Sequence, residues 1–239
     1  MKSRLPLSHW IFTRPGAHRG LHNDSVPENS LPAFENAIKK DYPIELDLQM
    51  TSDKKIVCFH DDNPKRMTGV DCDIRKTPYS TVKQWKLKNT DLTVPDFKEV
   101  LDTVDGRVPL IIEIKAQLQD GIEELVVDQL KGYAGEYVVQ SFDPRIILKI
   151  KKISPETIRG LLGTADKTDK GFFTDFVVKR LPLNGIVKPD FINYRVQDLP
   201  LSNFVSNKIP TICWTVRTNE QKQIAQKYAL NYVFENVEP

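Results

Sequence analysis

The sequence predicts an α/β fold, read here as a (β/α)8 barrel of the TIM type, and three observations point to it. Short apolar runs rich in β-branched residues alternate with stretches of helical period, and such alternation builds a parallel sheet, open or closed. The chain has 239 residues, and a single β/α barrel runs to about 250. Several apolar runs keep their ionisable residues for the C-terminal end, where β/α barrels place their sites. The expectation is one domain over residues 1–239 with an insertion at about 61–93.

Nine runs read as strands: 16–19, 43–49, 55–60, 108–115, 136–141, 157–163, 190–194, 210–216 and 231–235. A barrel needs eight, so at least one of these is misread or supernumerary. Ser30 is placed to cap a helix whose apolar face is Leu31, Phe34, Ala37 and Ile38, the spacing of a 3.6-residue repeat. The same period recurs in Phe97, Val100, Leu101 and Val104, in Ile122, Leu125, Val126 and Leu130, and in Ile146, Ile147 and Ile150. From Asp61 to Thr93 the chain turns polar, with one short helical patch around Tyr79 to Leu87. So long an excursion is commonly functional, and it is expected over one mouth of the barrel. Trp85 within it reads as the anchor of a small local core.

A chain of this length buries a full core without disulfides. The net charge of +2, from 34 basic and 32 acidic side chains, lacks the basic excess of a nucleic-acid binder. The cluster Lys149–Lys152 reads as a solvated helix face. Cys58, Cys72 and Cys213 are odd in number and widely spaced, which fits reduced thiols and a cytoplasmic setting. Met1 to Phe12 carries Lys2, Arg4, Ser8 and His9 without an unbroken apolar stretch, so no signal peptide is read there. Nor does any run approach the ~18 apolar residues of a membrane span.

Four runs hold the candidate chemistry. In the strand 43–49, Glu45 and Asp47 fall on one face, because a strand repeats every two residues. A buried parallel strand is ordinarily apolar on both faces, so two carboxylates there are costly without a cation between them. Glu113 and Lys115 close the run 108–115, His60 closes 55–60, and His18 and Arg19 close 16–19. Three carboxylates offer hard oxygen ligands suited to Mg²⁺ or Ca²⁺. His18 and His60 suit a general acid/base pair. Arg19 and Lys115 suit phosphate oxygens. Together they point to phosphoryl-ester hydrolysis.

Other residues read more plainly. His22 sits in the polar run 22–25 and is expected to be a loop histidine. Cys58 shares a strand face with His60, and is read as a small buried hydrophobe, since a nucleophilic thiol needs a partner base and a lowered pKa.

The ordered motifs His18-Arg19-Gly20, Pro27-Glu28-Asn29-Ser30, Glu45-Leu46-Asp47, His60-Asp61 and Glu113-Ile114-Lys115 resemble those of the glycerophosphodiester phosphodiesterase family. Ser141-Phe142-Asp143-Pro144, Pro189-Asp190 and Trp214-Thr215-Val216 extend the likeness to nearly the whole chain. The resemblance implies a β/α barrel with a small inserted subdomain and hydrolysis of glycerophosphodiesters to glycerol 3-phosphate and an alcohol. It implies one divalent cation held by Glu45, Asp47 and Glu113, an acid/base pair in His18 and His60, and phosphate contacts from Arg19 and Lys115. Trp214 would line the pocket. The sequence departs from the pattern at Asp41-Tyr42-Pro43, at Phe234-Glu235-Asn236 and at Gln140, and none of these is a core catalytic position.

Three other readings use the same residues. One is hydrolysis of lysophospholipids or sphingomyelin, which calls for an apolar surface, whereas Lys65, Arg66, Asp71, Asp73, Arg75 and Lys76 make the insertion charged. Another is a two-metal hydrolase with the histidines as ligands to Zn²⁺ or Mn²⁺. The last is a barrel that binds phosphodiesters without turnover.

Overall fold

The computed structural model describes residues 4–166, 172–202, 205 and 208–239. The chain forms two compact units, one of residues 17–137 and one of residues 1–16 with 138–239.

In the first unit β2 (Ile44–Met50) is central and buried along its whole length. The short β1 (Gly16–Ala17) pairs with it in parallel, Ala17 opposite Ile44. β4 (Leu110–Ile114) also runs parallel to it, in register from Ile44 opposite Leu110 to Leu48 opposite Ile114. β3 (Ile56–Cys58) instead runs antiparallel to the far end of β2, with Cys58 opposite Leu48. The reason is chain length. Only residues 51–55 connect them, closed by Thr51 N–H donating to Lys55 O at 2.9 Å, and a parallel crossover needs about a dozen residues. β3 is therefore the ninth strand that a barrel does not need.

Three helices of predicted period lie in this unit, one of them Ile122–Leu130 with Ile122, Val126 and Leu130 buried, and the other two carry marked caps. Ser30 caps Leu31–Lys39 through its Oγ, which accepts from Ala33 N–H, and Ala33, Phe34 and Ala37 are buried. Phe97–Val104 opens with a reciprocal capping box between Asp96 and Glu99 and buries Phe97, Val100, Leu101 and Val104. Caps of this kind contribute about 1 kcal/mol each.

The insertion is less extended than its composition suggests. In place of one helical patch over 79–87 it has three single turns, Lys65–Thr68, Ile74–Lys76 and Tyr79–Val82. Each turn sends one apolar residue inward, Met67, Ile74 and Val82 respectively, so none is long enough to show a helical period. These pack with Val57, Phe59, Trp85, Leu87 and Val94 in a local core. Trp85 is 7% exposed and is the anchor expected of it.

In the second unit β5 (Tyr137–Ser141), β6 (Arg159–Gly163), β7 (Phe191–Arg195), β8 (Thr211–Val216) and β9 (Tyr232–Phe234) each pair in parallel with the next. Helices Pro144–Ile153, Phe172–Arg180 and Asn219–Tyr228 provide crossovers. Gly160 is required by packing: a Cβ there would stand 2.3 Å from the ring of Phe191. The amino-terminal segment joins this unit by specific bonds. Asn231 Nδ2 donates to Ile11 O at 2.9 Å and to Arg14 O at 2.7 Å. Among the described residues no helix is long and apolar enough to cross a membrane.

Candidate active site

The candidate residues of the first unit converge on the parallel pairing of β1, β2 and β4. Strand alternation puts Glu45 and Asp47 on one face of β2, and the register sets Glu113 directly opposite Asp47. All three are buried, at 3%, 1% and 6% exposure, with a ligand oxygen from each within 4.8 Å of the others. Burial and the charges of Asp47 and Glu113 push the Glu45 carboxyl well above its ordinary range. Burial pushes Asp47 the same way, yet Lys115, His60 and Arg19 together hold it well below. Three buried carboxylates thus converge on one point, and their hard oxygen donors fit a divalent cation.

Lys115 follows β4 directly, and its Nζ lies 2.7 Å from Asp47 Oδ1 and 2.5 Å from Glu113 Oε1. Burial lowers its pKa, but those two carboxylates outweigh burial and raise it, so the ammonium stays charged.

Arg19 turns the chain away from β1 with φ 55°. Its backbone N–H donates to Glu45 Oε2 at 3.1 Å, its Nη1 donates to Glu28 Oε1 at 2.7 Å, and its Nε lies 3.4 Å from Asp47 Oδ2. Gly20 must follow, because φ is 79° and a Cβ would stand 2.9 Å from the carbonyl carbon of Ala33. The His-Arg-Gly order is thus a steric requirement as well as a chemical one.

His18 is 7% exposed, and its Nε2 lies 4.0 Å from Glu45 Oε2. His60 Nδ1 lies 2.6 Å from Asp61 Oδ1, and the His60 carbonyl accepts from Gln49 Nε2 at 3.2 Å. Asp61 stays ionised: burial raises its pKa, but the bonds to His60 and Arg66 lower it well below the usual range.

Four residues with positions in this site have no role in the sequence reading. Asn29 Nδ2 donates to Asp47 Oδ2 at 2.8 Å. Asp61 meets His60. Glu28 accepts from Arg19 and, at 2.7 and 2.8 Å, from Arg66. Arg66, in the insertion, also donates from Nε to Asp61 Oδ2 at 2.7 Å. Asn29, Glu28 and Asp61 lie inside recognised motifs, which was the available signal. Arg66 looks in sequence like one more solvated charge.

Cys58 is fully buried, its Sγ donating to Asn29 Oδ1 at 3.2 Å. Burial pushes its thiol well above the ordinary range, the opposite of what a nucleophile needs. His22 lies in the loop after β1, its N–H donating to Gly20 O at 3.0 Å. Trp214 lies on β8 in the second unit, edge to face with Phe142 at 5.5 Å between ring centroids.

Residues 18–236 match the family described as the Glycerophosphoryl diester phosphodiesterase family. A glycerophosphodiester phosphodiesterase of Caldanaerobacter subterraneus is 28% identical over 86% of this chain and 82% of its own length. A putative glycerophosphodiester phosphodiesterase of Bacillus subtilis is 27% identical over 90% and 89%. Among solved structures, an Oleispira antarctica phosphodiesterase in complex with the product sn-glycerol-3-phosphate superposes with a TM-score of 0.77 at 20% identity. That likeness covers 94% of this chain and 93% of the other. The fold is the (β/α)8 barrel expected from the sequence, with β3 as an extra strand.

Proposed function

The chain belongs to the glycerophosphoryl diester phosphodiesterase family and is a phosphoric diester hydrolase, and from this we propose a cation-assisted hydrolysis in which His18 and His60 move the protons. The observation that carries the reading is the buried trio Glu45, Asp47 and Glu113 beside two obligate cations and an imidazole tied to an ionised carboxylate. Glu45, Asp47 and Glu113 hold one divalent ion, Mg²⁺ or Ca²⁺, which supplies positive charge for the phosphodiester oxygens when bound.

The chain's own groups do the rest. Ionised Asp61 accepts from His60 Nδ1, which leaves Nε2 as the nitrogen that exchanges a proton with the reacting atoms. One histidine removes the proton of the nucleophile as its oxygen bonds to phosphorus. The other protonates the alcohol oxygen as its bond to phosphorus breaks. If the nucleophile is the substrate's own 2-hydroxyl rather than water, the cyclic phosphodiester formed is then opened by water in a second step, with the histidines' roles exchanged, to give glycerol 3-phosphate. Lys115 has three donors, two of them directed at Asp47 and Glu113, and Arg19 has five. Their remaining donors hold phosphate oxygens and stabilise the developing charge, the largest single contribution in most such sites.

The substrate is a water-soluble glycerophosphodiester, cleaved to glycerol 3-phosphate and an alcohol. The product in the Oleispira antarctica structure and the charged insertion support this choice over a lysophospholipid. By the likeness of Trp214-Thr215-Val216 to the family pattern, Trp214 is a substrate-binding residue. Free thiols at Cys58, Cys72 and Cys213 support a cytoplasmic setting.

The test is release of glycerol 3-phosphate from glycerophosphocholine and glycerophosphoethanolamine in EDTA, then with Mg²⁺, Ca²⁺ or Mn²⁺ restored. Release is expected to stop in EDTA and to return with Mg²⁺ or Ca²⁺, and Trp214→Ala is expected to raise KM. Undiminished release in EDTA would refute the cation. Turnover confined to lysolipid in detergent would replace the substrate.

A further inference from the structure

Arg66 has no part in the chemistry above, yet it touches both ends of it. Its Nε donates to Asp61 Oδ2 at 2.7 Å, while Asp61 Oδ1 meets His60 Nδ1 at 2.6 Å. Its Nη2 and Nη1 donate to Glu28 Oε1 and Oε2 at 2.7 and 2.8 Å. Glu28 Oε1 also accepts from Arg19 Nη1 at 2.7 Å. A continuous chain results: His60, Asp61, Arg66, Glu28, Arg19. Its middle link is carried by the first helical turn of the insertion, Lys65–Thr68, whose Met67 is buried in the insertion's own core.

Exposed ion pairs contribute little. This one differs in geometry. The Arg66 side chain is 47% exposed, but Glu28 and Asp61 are 10% and 21% exposed, and the guanidinium engages Glu28 through two parallel bonds. Such a fork fixes direction as well as charge.

We propose that Arg66 is a positioning residue of this hydrolase, holding Asp61 against His60 and Glu28 against Arg19 at once. The proposal rests on the acid/base role of His60 and the phosphate role of Arg19 given above. With Arg66 on Oδ2, the carboxylate of Asp61 presents Oδ1 to Nδ1 in one orientation, and the imidazole is aimed by that bond. Without Arg66 the Asp61 carboxylate can rotate, and Glu28 loses the partner that sets its grip on Arg19. A lysine does not substitute, because a point charge on a flexible stem cannot span two carboxylates in a fork. The insertion thereby orders the proton-transfer group and the phosphate-binding group together.

The experiment compares Arg66→Met, Arg66→Lys, Asp61→Asn, the Arg66→Met/Asp61→Asn double variant and His60→Ala with wild type, by steady-state kinetics and thermal denaturation. Lys65→Met is the control. Lys65 shares the helical turn but pairs with exposed Asp71 at 2.7 Å, so its kcat and KM should not move. Arg66→Met is expected to lower kcat by roughly 10–100-fold, the cost of a misplaced catalytic group, and to raise KM severalfold, in protein that still unfolds in one cooperative transition. Arg66→Lys should recover only part of both. In the double variant the second substitution should cost far less than it does alone, since both break one chain.

An Arg66→Met protein with kcat and KM within about twofold of wild type would overturn the proposal, as would losses in the double variant that simply multiply. If Arg66→Met does not fold, Arg66→Lys decides, since wild-type kinetics there would show that the fork is dispensable. Full turnover in His60→Ala would instead refute the histidine's role, and with it the route by which Arg66 reaches kcat. Loss in His60→Ala beside unaltered Arg66→Met refutes Arg66 alone.

Discussion

Glu28 illustrates how a single side chain in this site is paired into its charge state. Burial alone would raise its pKa, but the hydrogen bonds and charges of Arg66 and Arg19 hold it down, from 4.5 to about 2. A group whose folded-state pKa is depressed contributes stability above its unfolded pKa and loses it as pH falls through the folded one. The contribution of Glu28 is therefore complete above about pH 4.5 and disappears towards about pH 2. Glu28→Gln should be less stable than wild type near neutral pH, with the gap closing as pH drops through that window. Urea denaturation from neutral to acid pH measures it, and a gap independent of pH would show that Glu28 contributes by packing alone. Asp47 follows the same logic at greater depth. It remains a carboxylate at 1% exposure because Lys115 and Asn29 serve its two oxygens at 2.7 and 2.8 Å.

At the level of elements, the insertion is a small folded layer. Its three turns are each too short to be stable in water, so packing must hold them. Val57 and Phe59 extend the β3 end of the sheet into that packing, and Trp85 closes it. Trp85→Ala should therefore cost about 3–5 kcal/mol locally. Faster hydrogen exchange should be confined to residues 61–93, with β2 and β4 unchanged. Because Arg66 is carried by this layer, kcat should fall as the layer loosens. Exchange accelerated evenly through the sheet would show that the insertion and β2 unfold as one unit.

At the scale of the whole molecule, the proposed cation site requires β2 and β4 to be paired, since Glu45 and Asp47 come from one strand and Glu113 from the other. A ligand that binds the folded chain alone stabilises it by mass action, by about 2.7 kcal/mol at one hundred times its Kd. Mg²⁺ or Ca²⁺ should accordingly raise the melting temperature in proportion to the logarithm of its concentration. Glu113→Gln should abolish that rise even where activity is not measured. A melting temperature indifferent to both ions, in protein that hydrolyses glycerophosphodiesters, would refute Mg²⁺ and Ca²⁺ as the ion held by this trio.

The sequence by itself determined which residues face one another along each strand. Apolar runs broken by Glu45, Asp47, Glu113 and His60 are visible without coordinates, because a two-residue period and the cost of burying charge leave a mark in one dimension. The same is true of the cap at Ser30, whose partner lies three residues away. The direction of β3 was also within reach, since the loop of residues 51–55 is too short for a crossover. What tertiary structure alone decided is pairing across distance. Arg66 and Glu28 are 38 residues apart, and nothing in either neighbourhood names the other. The inward residues of the insertion come from single turns with no period to read. A charged residue in a polar segment looks solvated until the chain folds and brings a buried carboxylate to it.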